Sequence, residues 1–529
     1  MLDTLLIQPP ALIPSEPPLS LAILVAALRL EGVSADAIDA NLGAYLYLLN
    51  GDRLAALAGS TSSKAISRAL NHRRNSLALL RSQQGAASFS RYGTAVRYLN
   101  LLLSLYSDGQ QRLSLSDYQC SDYSPFRPED LNRFGCGEAQ TLFRLYFCHE
   151  LLPQIAEKQP KRVAISINYL HQAFPAFELA GLLRQRYPDL EIVAGGGLIT
   201  SWQQPLQQLG CELIPFNRLV FGPGEASLVA LAQGRAADSY YLSDISSRGF
   251  VPDFSFAEFD RYLSPQPVLP LSSSRGCYWE KCLFCPEATA PVHPYGSFKA
   301  DDFPALLLEL SHRYGINCFH LTDNAIPVNV LKQLAQHHTD LSGFKWFGFV
   351  RFEEVLTDFN FVRKLVAAGC RMLQLGLESG SQSVLDTLRK GIKVETAAKI
   401  LDNLQRAGIG TYVYIMLGAP GETEADAEMT LDFLEKHAEK IDFLNISIMN
   451  LPRGSELLEN PELYGISNSK LRDNGSSLGL YYEFESSTGW NRSAARQFLN
   501  QRILKVPAIR NIVKRDPPLF SSSHAFFFV

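Results

Sequence analysis

Between Val268 and about residue 455 the chain alternates short apolar runs with amphipathic helical patterns, six times over. The runs lie near residues 268–273, 317–322, 346–350, 372–377, 411–417 and 443–449, and helical patterns such as Phe303–Tyr314 and Val394–Ala407 separate them. A strand that must be followed by a helix before the next strand cannot close a hairpin. It pairs in parallel, and the helices cover the sheet. The pattern predicts an α/β fold with a parallel sheet, open or curled into a partial (β/α)6 barrel.

The same rhythm marks the first half of the chain. A buried run over Asp3–Pro10, a helical pattern over Leu19–Leu30 closed by Gly32, and a second run near Ala35–Ile38 open a doubly wound, Rossmann-like domain. It resumes at Arg162–Ile167, Glu191–Ala194 and Leu219–Phe221, with a helix expected over Ala176–Tyr187. In between, strand signals vanish and helical patterns take over (Ala55–Leu80, Ala95–Tyr106), so about 44–150 reads as a helical insertion. The expected domains are 1–235, a linker over 236–266, a second α/β domain over 267–455 and an extension over 456–529.

Charge and hydropathy remove other classes. A net charge of −4 gives no basic field for nucleic acid. No apolar segment reaches the roughly 18–20 residues that span a bilayer. No secretory leader pattern opens the chain, so it is expected in the cytoplasm, where thiols stay reduced. Six of the nine cysteines, at 120, 136, 148, 211, 318 and 370, are scattered and read as small buried apolar residues.

The other three stand together in Ser274-Arg-Gly-Cys277-Tyr-Trp-Glu-Lys-Cys282-Leu-Phe-Cys285. The loop follows the first strand of the second series, at the carboxyl edge where parallel sheets carry functional loops. Three thiolates suit a four-iron cluster and leave one iron without a protein ligand. A structural zinc site is the alternative: it needs a fourth ligand, for which His293 stands eight residues after Cys285, and no second Cys-x-x-Cys exists. Tyr278 and Trp279 read as packing.

With these residues in view, about 268–455 resembles the radical S-adenosylmethionine (SAM) superfamily. The family usually has Cys-x3-Cys-x2-Cys, and this loop is one residue longer. Further matches are Thr322-Asp323-Asn324 at the second strand end, Arg351 after the third, Gly376-Leu-Glu378-Ser379-Gly380 at the fourth, Arg389-Lys390-Gly391 beyond it, and Gly418-Ala-Pro420-Gly421-Glu422 after the fifth. The resemblance implies a [4Fe–4S] cluster on Cys277, Cys282 and Cys285, with SAM chelating the open iron and cleaved to a 5′-deoxyadenosyl radical. It implies SAM contacts at Asp323, Asn324, Arg351, Glu378, Ser379, Gly380, Arg389, Gly418 and Pro420. It also implies an external electron donor such as flavodoxin or ferredoxin.

The N-terminal series resembles the cobalamin-binding domain that precedes many such cores. Ser166, Gly195 and Gly196, and Gly222, Gly224 and Glu225 stand after successive strands, with Gln8, Pro9 and Pro10 where the first loop falls. Gly222-Pro-Gly-Glu225 departs from the commoner Gly-Glu-Gly-Glu. No Asp-x-His-x-x-Gly string occurs, so histidine ligation of cobalt from that position is not expected, and the resemblance implies cobalamin with no lower histidine ligand. The implied activity is hydrogen abstraction from an unactivated carbon followed by cobalamin-dependent methylation. A radical cyclase, rearrangement or sulfur-insertion enzyme with a cobalamin-free first domain is one alternative, and an iron–sulfur electron-transfer or redox-sensing protein is the other. The substrate stays open among small molecules, lipids and peptides.

Overall fold

The computed structural model describes residues 2–59, 63–209, 213–235, 240–242, 250–285, 287, 295–297, 303–472, 477–515 and 522–529. The chain divides into two compact units, the first running to Pro267 and the second starting at Val268.

The first unit is built on six parallel strands: β1 (Thr4–Gln8), β2 (Ala35–Asp39), β3 (Arg162–Ser166), β4 (Glu191–Gly195), β5 (Arg218–Phe221) and β6 (Tyr240–Leu242). Their order is β2-β1-β3-β4-β5-β6. The chain moves from β1 to β2 on one side and returns to β3 on the other, so the switch point lies between β1 and β3. Every residue of β1 and β3 is buried, which a strand covered by helices on both faces requires. The stretch read as a linker therefore contributes an edge strand, β6.

The insertion departs from the all-helical expectation. Gln111–Leu113 and Tyr118–Cys120 form an antiparallel hairpin, pinned where Tyr118 meets the Phe143 ring edge-on at 5.4 Å. Three-residue strands are too short to leave a period-two signal in the sequence. The helix expected over Ala55–Leu80 is two, Gly51–Ala58 and Lys64–Leu80, the second opened by the Ser63 hydroxyl accepting from Ile66 N–H. Lys64–Leu80 packs against Phe89–Leu103, where His72 stacks on Tyr98 at 5.4 Å. The latter helix begins six residues before the expected Ala95 and ends in a 3-10 turn at Tyr106.

In the second unit β7 (Leu269–Leu271), β8 (Cys318–Leu321), β9 (Lys345–Val350), β10 (Cys370–Glu378), β11 (Gly410–Leu417) and β12 (Phe443–Ile448) are all parallel. They lie side by side in chain order, the connectivity of a (β/α)6 partial barrel. One face of β9 to β11 is aromatic and polar: Phe349 lies 4.9 Å from Tyr414, Tyr412 stacks on Tyr414 at 4.7 Å, and Gln374 donates to the Tyr414 hydroxyl.

The tail after residue 455 adds two strands, β14 (Ile466–Leu471) and β15 (Tyr481–Ser486), which form a three-stranded antiparallel sheet with β13 (Leu451–Pro452). Its last residues turn back onto the barrel. Ala525 and Phe526 are buried with Val268, Cys318, Phe347, Met372, Tyr412 and Phe443, which stand toward the amino ends of the strands. Phe526 stacks on Phe347 at 4.6 Å. The apolar terminus thus packs at the end of the sheet opposite its functional edge. Of the scattered cysteines, Cys318 and Cys370 are buried as expected, but Cys136 and Cys148 are exposed and Cys120 is half-buried. Cys211 lies outside the described residues.

Candidate functional site

The cysteine loop leaves β7 at its carboxyl end. Ser274–Arg275 pairs antiparallel with Gly296–Ser297, which ties the loop's two ends together. Gly276 takes φ +73, a conformation open to glycine without strain. Cys277, Cys282 and Cys285 are all unbonded and half-buried.

Leu283 anchors the loop. Its side chain is buried with Val384, Leu388, Met416 and Ala419, and its N–H donates to the Leu388 carbonyl. Trp279 lies across the same edge, its Nε1 donating to the Arg389 carbonyl at 2.9 Å. The Arg351 guanidinium stacks over that indole at 4.2 Å, donates to Glu353 and to the Lys390 carbonyl, and points one N–H at Cys282 Sγ at 3.9 Å. Tyr278 donates to the same Glu353 oxygen at 2.7 Å. Tyr278 and Trp279 therefore pack, as expected, and what they pack is the loop's footing.

Burial pushes the Cys285 thiol up to about 11. Burial also raises Cys282, against the pull of Lys390 and Arg351. Loading metal on these thiols has to expel protons, and the two cations near Cys282 favour its thiolate. Among the described residues no three His, Cys, Asp or Glu side chains are grouped for a single metal ion, and His293 lies outside them. Three free thiols on one anchored loop, with two cations beside Cys282, fit the donor needs of an anionic iron–sulfur cluster.

The remaining sequence-predicted residues fall into different places. Glu378, at φ +69, pairs with Lys390 Nζ at 2.8 Å, the side chains only 12% and 9% exposed. Gly376 is bare for this pair: a Cβ there would meet Glu378 Oε1 at 2.7 Å and Lys390 Nζ at 2.9 Å. Sequence reading singled out Arg389 rather than Lys390. Yet Arg389 turns outward, bound through both nitrogens to Glu456 and through one to Tyr464. Two adjacent cations look alike in a sequence, and only backbone direction separates them.

Ser379 and Gly380 face the helix Glu424–His437. The Ser379 hydroxyl is wholly buried against Thr430 Oγ1, and a Cβ on Gly380 would lie 2.7 Å from Met429 O and Thr430 Cα. Their small size serves helix packing. Arg351, expected as a SAM contact, has its nitrogens engaged in the loop's footing. Asp323 is buried, and its carboxylate accepts from Ser273 N–H, Ser273 Oγ and Ser274 Oγ, stitching the end of β8 to that of β7. Asn324 is exposed beside it.

Gly418 takes φ +83, and Pro420 is buried. Glu422 closes this turn: one carboxyl oxygen accepts from Gly418 N–H, Ala419 N–H and Trp490 Nε1. Burial lifts Glu422 to about 7 against these donors. Its place at the end of the Gly-x-Pro-Gly-Glu string was the signal that could have found it.

In the first unit, Ser166 sits at the carboxyl end of β3, 3.4 Å from the Ser20 hydroxyl, and accepts from Asn168 Nδ2. Gly195 ends β4 and Gly196 follows it, and Asn168 Oδ1 accepts from Gly197 N–H across the strand ends. Gly196 at φ +107 passes so close that a Cβ would meet the Ile167 carbonyl at 2.6 Å. Gly222 N–H donates to Thr200, Gly224 abuts Leu24, and Glu225 is buried. At the end of β1, Gln8 is 2% exposed and its Nε2 has no hydrogen-bond partner among the described residues. A buried amide left open at a switch point, beside strand ends kept flat by glycine, fits a ligand with acceptor groups such as cobalamin.

Residues 271–434 match the Radical SAM superfamily model, and this segment is a radical SAM domain. The domain brings with it a [4Fe–4S] cluster and SAM as cofactors. The chain is 24% identical over 328 residues to an uncharacterised methyltransferase of Pyrococcus horikoshii, covering 56% of this chain and 68% of that protein. It is 23% identical over 318 residues to the ribosomal protein uS12 methylthiotransferase RimO of Pelotomaculum thermopropionicum, covering 56% and 64%. Among solved structures it resembles the radical SAM methyltransferase TsrM of Kitasatospora setae, with cobalamin and a [4Fe–4S] cluster bound, at TM-score 0.57 and 17% identity over 97% of this chain and 93% of that one. It also resembles the cobalamin-dependent radical enzyme OxsB with aqua-cobalamin bound, at TM-score 0.60 and 14% identity over 94% and 67%. At these identities the two structures share the fold.

Proposed function

We propose that this chain is a cobalamin-dependent radical SAM methyltransferase acting on an unactivated carbon of a small molecule, lipid or peptide. The carrying observation is the anchored loop of three free cysteines at the carboxyl end of β7, the first strand of a six-stranded parallel sheet in chain order. Cys277, Cys282 and Cys285 would hold the cluster, the Glu378–Lys390 pair would meet SAM, and Gln8, Ser166 and the glycines at 195, 196 and 222 would border the corrinoid. Bound there, the cluster supplies the electron that cleaves SAM, and cobalamin supplies the methyl group.

The chain's own residues position and shield. Leu283 and the Trp279–Arg351 stack fix the loop, and Arg351 and Lys390 set positive charge beside the Cys282 sulfur. The aromatic face of β9 to β11 excludes water from the sheet interior. Support for methyl transfer comes from the relatives named methyltransferases and from likeness to two cobalamin-holding folds. An external electron donor such as flavodoxin or ferredoxin belongs to the same proposal.

The test is anaerobic reconstitution with iron and sulfide, then metal analysis and assay of SAM cleavage with and without cobalamin. Cys285→Ala is expected to lose cluster absorbance and SAM cleavage together. A single tightly held zinc in the wild-type loop would overturn the reading.

A further inference from the structure

Beyond β15 the chain returns to the carboxyl ends of β11 and β12, within the second unit. Trp490 is 7% exposed, and its Nε1 donates at 3.0 Å to Glu422 Oε2, the oxygen that also takes the Gly418 and Ala419 N–H groups. The Thr488 hydroxyl donates to the Glu422 carbonyl at 2.8 Å. Asn491 then caps the helix Arg492–Gln501, accepting from Ser493 and Ala494 N–H. Ala495 on this helix lies against the turn, where a Cβ on Gly418 would stand 3.4 Å from its own. Arg492 holds the second strand end: one guanidinium nitrogen donates to the Met449 carbonyl and, at 2.9 Å, to Asn450 Oδ1.

Both grips converge on one apolar cluster. Ala419, fixed through Glu422, and Met449, fixed through Arg492, are buried together with Leu283, which stands between Cys282 and Cys285. A tail that merely covered the sheet would need no carboxyl group beneath it, since burying one costs stability. Apolar contact is non-directional, whereas hydrogen bonds fix distance and angle. The polar set between tail and turn therefore holds the turn in one position, and the turn backs the cysteine loop.

We propose that Trp490 is a positioning residue for the cluster loop: through Glu422 it sets the Gly418–Ala419 turn, and with it the apolar seat on which Leu283 holds Cys282 and Cys285. This rests on the assignment of the cluster to those cysteines. Trp490 governs how firmly the loop keeps its cluster, rather than how stable the fold is as a whole.

The full chain is reconstituted anaerobically with iron and sulfide, freed of unbound iron and mixed with an iron chelator while cluster absorbance is followed. Trp490→Phe keeps a ring beside Phe498 and removes the N–H. It is expected to lose its cluster about tenfold faster than the wild type, the low end of what losing a supporting hydrogen bond costs a metal site. The cluster-free variant is expected to melt within a few degrees of the wild type. Thr488→Val, which removes the second bond to Glu422, should shift cluster lifetime in the same direction. In a Glu422→Ala background Trp490→Phe should add nothing, because the link through which it acts is gone. Phe498→Leu loosens the tail and leaves the Trp490 hydrogen bond, so it should lower the melting temperature and keep the wild-type cluster lifetime. An unchanged lifetime in Trp490→Phe, or lifetimes that track melting temperature across all variants, overturns this inference and leaves the proposed function standing. Wild-type protein that takes up no cluster overturns both.

Discussion

Glu422 turns a family-like motif into a measurable dependence on pH. Its carboxyl is wholly buried, and three N–H groups converge on one oxygen, while the other has no partner among the described residues. Burial outweighs the donors and lifts it from 4.5 to about 7. Below about 4.5 the group is protonated in both folded and unfolded chains. Between 4.5 and about 7 the unfolded chain ionises while the folded one stays neutral, so stability falls as pH rises. Above 7 both are ionised and the loss is complete, at about 3 kcal/mol. Glu422→Gln keeps an acceptor for the three donors and cannot ionise. Its melting temperature minus that of the wild type, followed anaerobically from about pH 5 to pH 8, is expected to rise. The slope is roughly 2–4 °C per kcal/mol for a domain of this size. A difference that stays flat across that range would refute the reasoning, because the carboxylate would then be charged in the fold throughout.

Three further perturbations follow from the site. Lys390→Met should strand Glu378 as a buried unpaired carboxylate, costing about 3–5 kcal/mol by chemical denaturation. Gly380→Ala should push against the backbone of the helix Glu424–His437 and lower stability by about 1–3 kcal/mol in thermal melts. Arg351→Gln should remove the stack on Trp279 and a positive charge near Cys282, lowering the cluster's midpoint potential in redox titration and speeding its loss to chelator. Unchanged potential and chelation rate would place Arg351 outside the cluster's surroundings.

The sequence alone determined the two α/β series, because strand and helix periodicities are local and each run from 268 to 449 alternates with a helix. It also determined the cysteine loop and its place after a strand. What it could not carry is direction and contact between distant segments. Whether Arg389 or Lys390 meets Glu378, whether Gly380 is small for a ligand or for a helix, and whether Arg351 is open or engaged depend on which way the backbone turns at each strand end. The pairing of Asp117 with His171 joins residues 54 apart through a hairpin too short to announce itself, and the apolar terminus finds the amino ends of strands that begin between Leu269 and Phe443. Local propensity writes the elements. Packing between them assigns each polar group its partner, and so separates the side chains left to meet a ligand from those already spent on the fold.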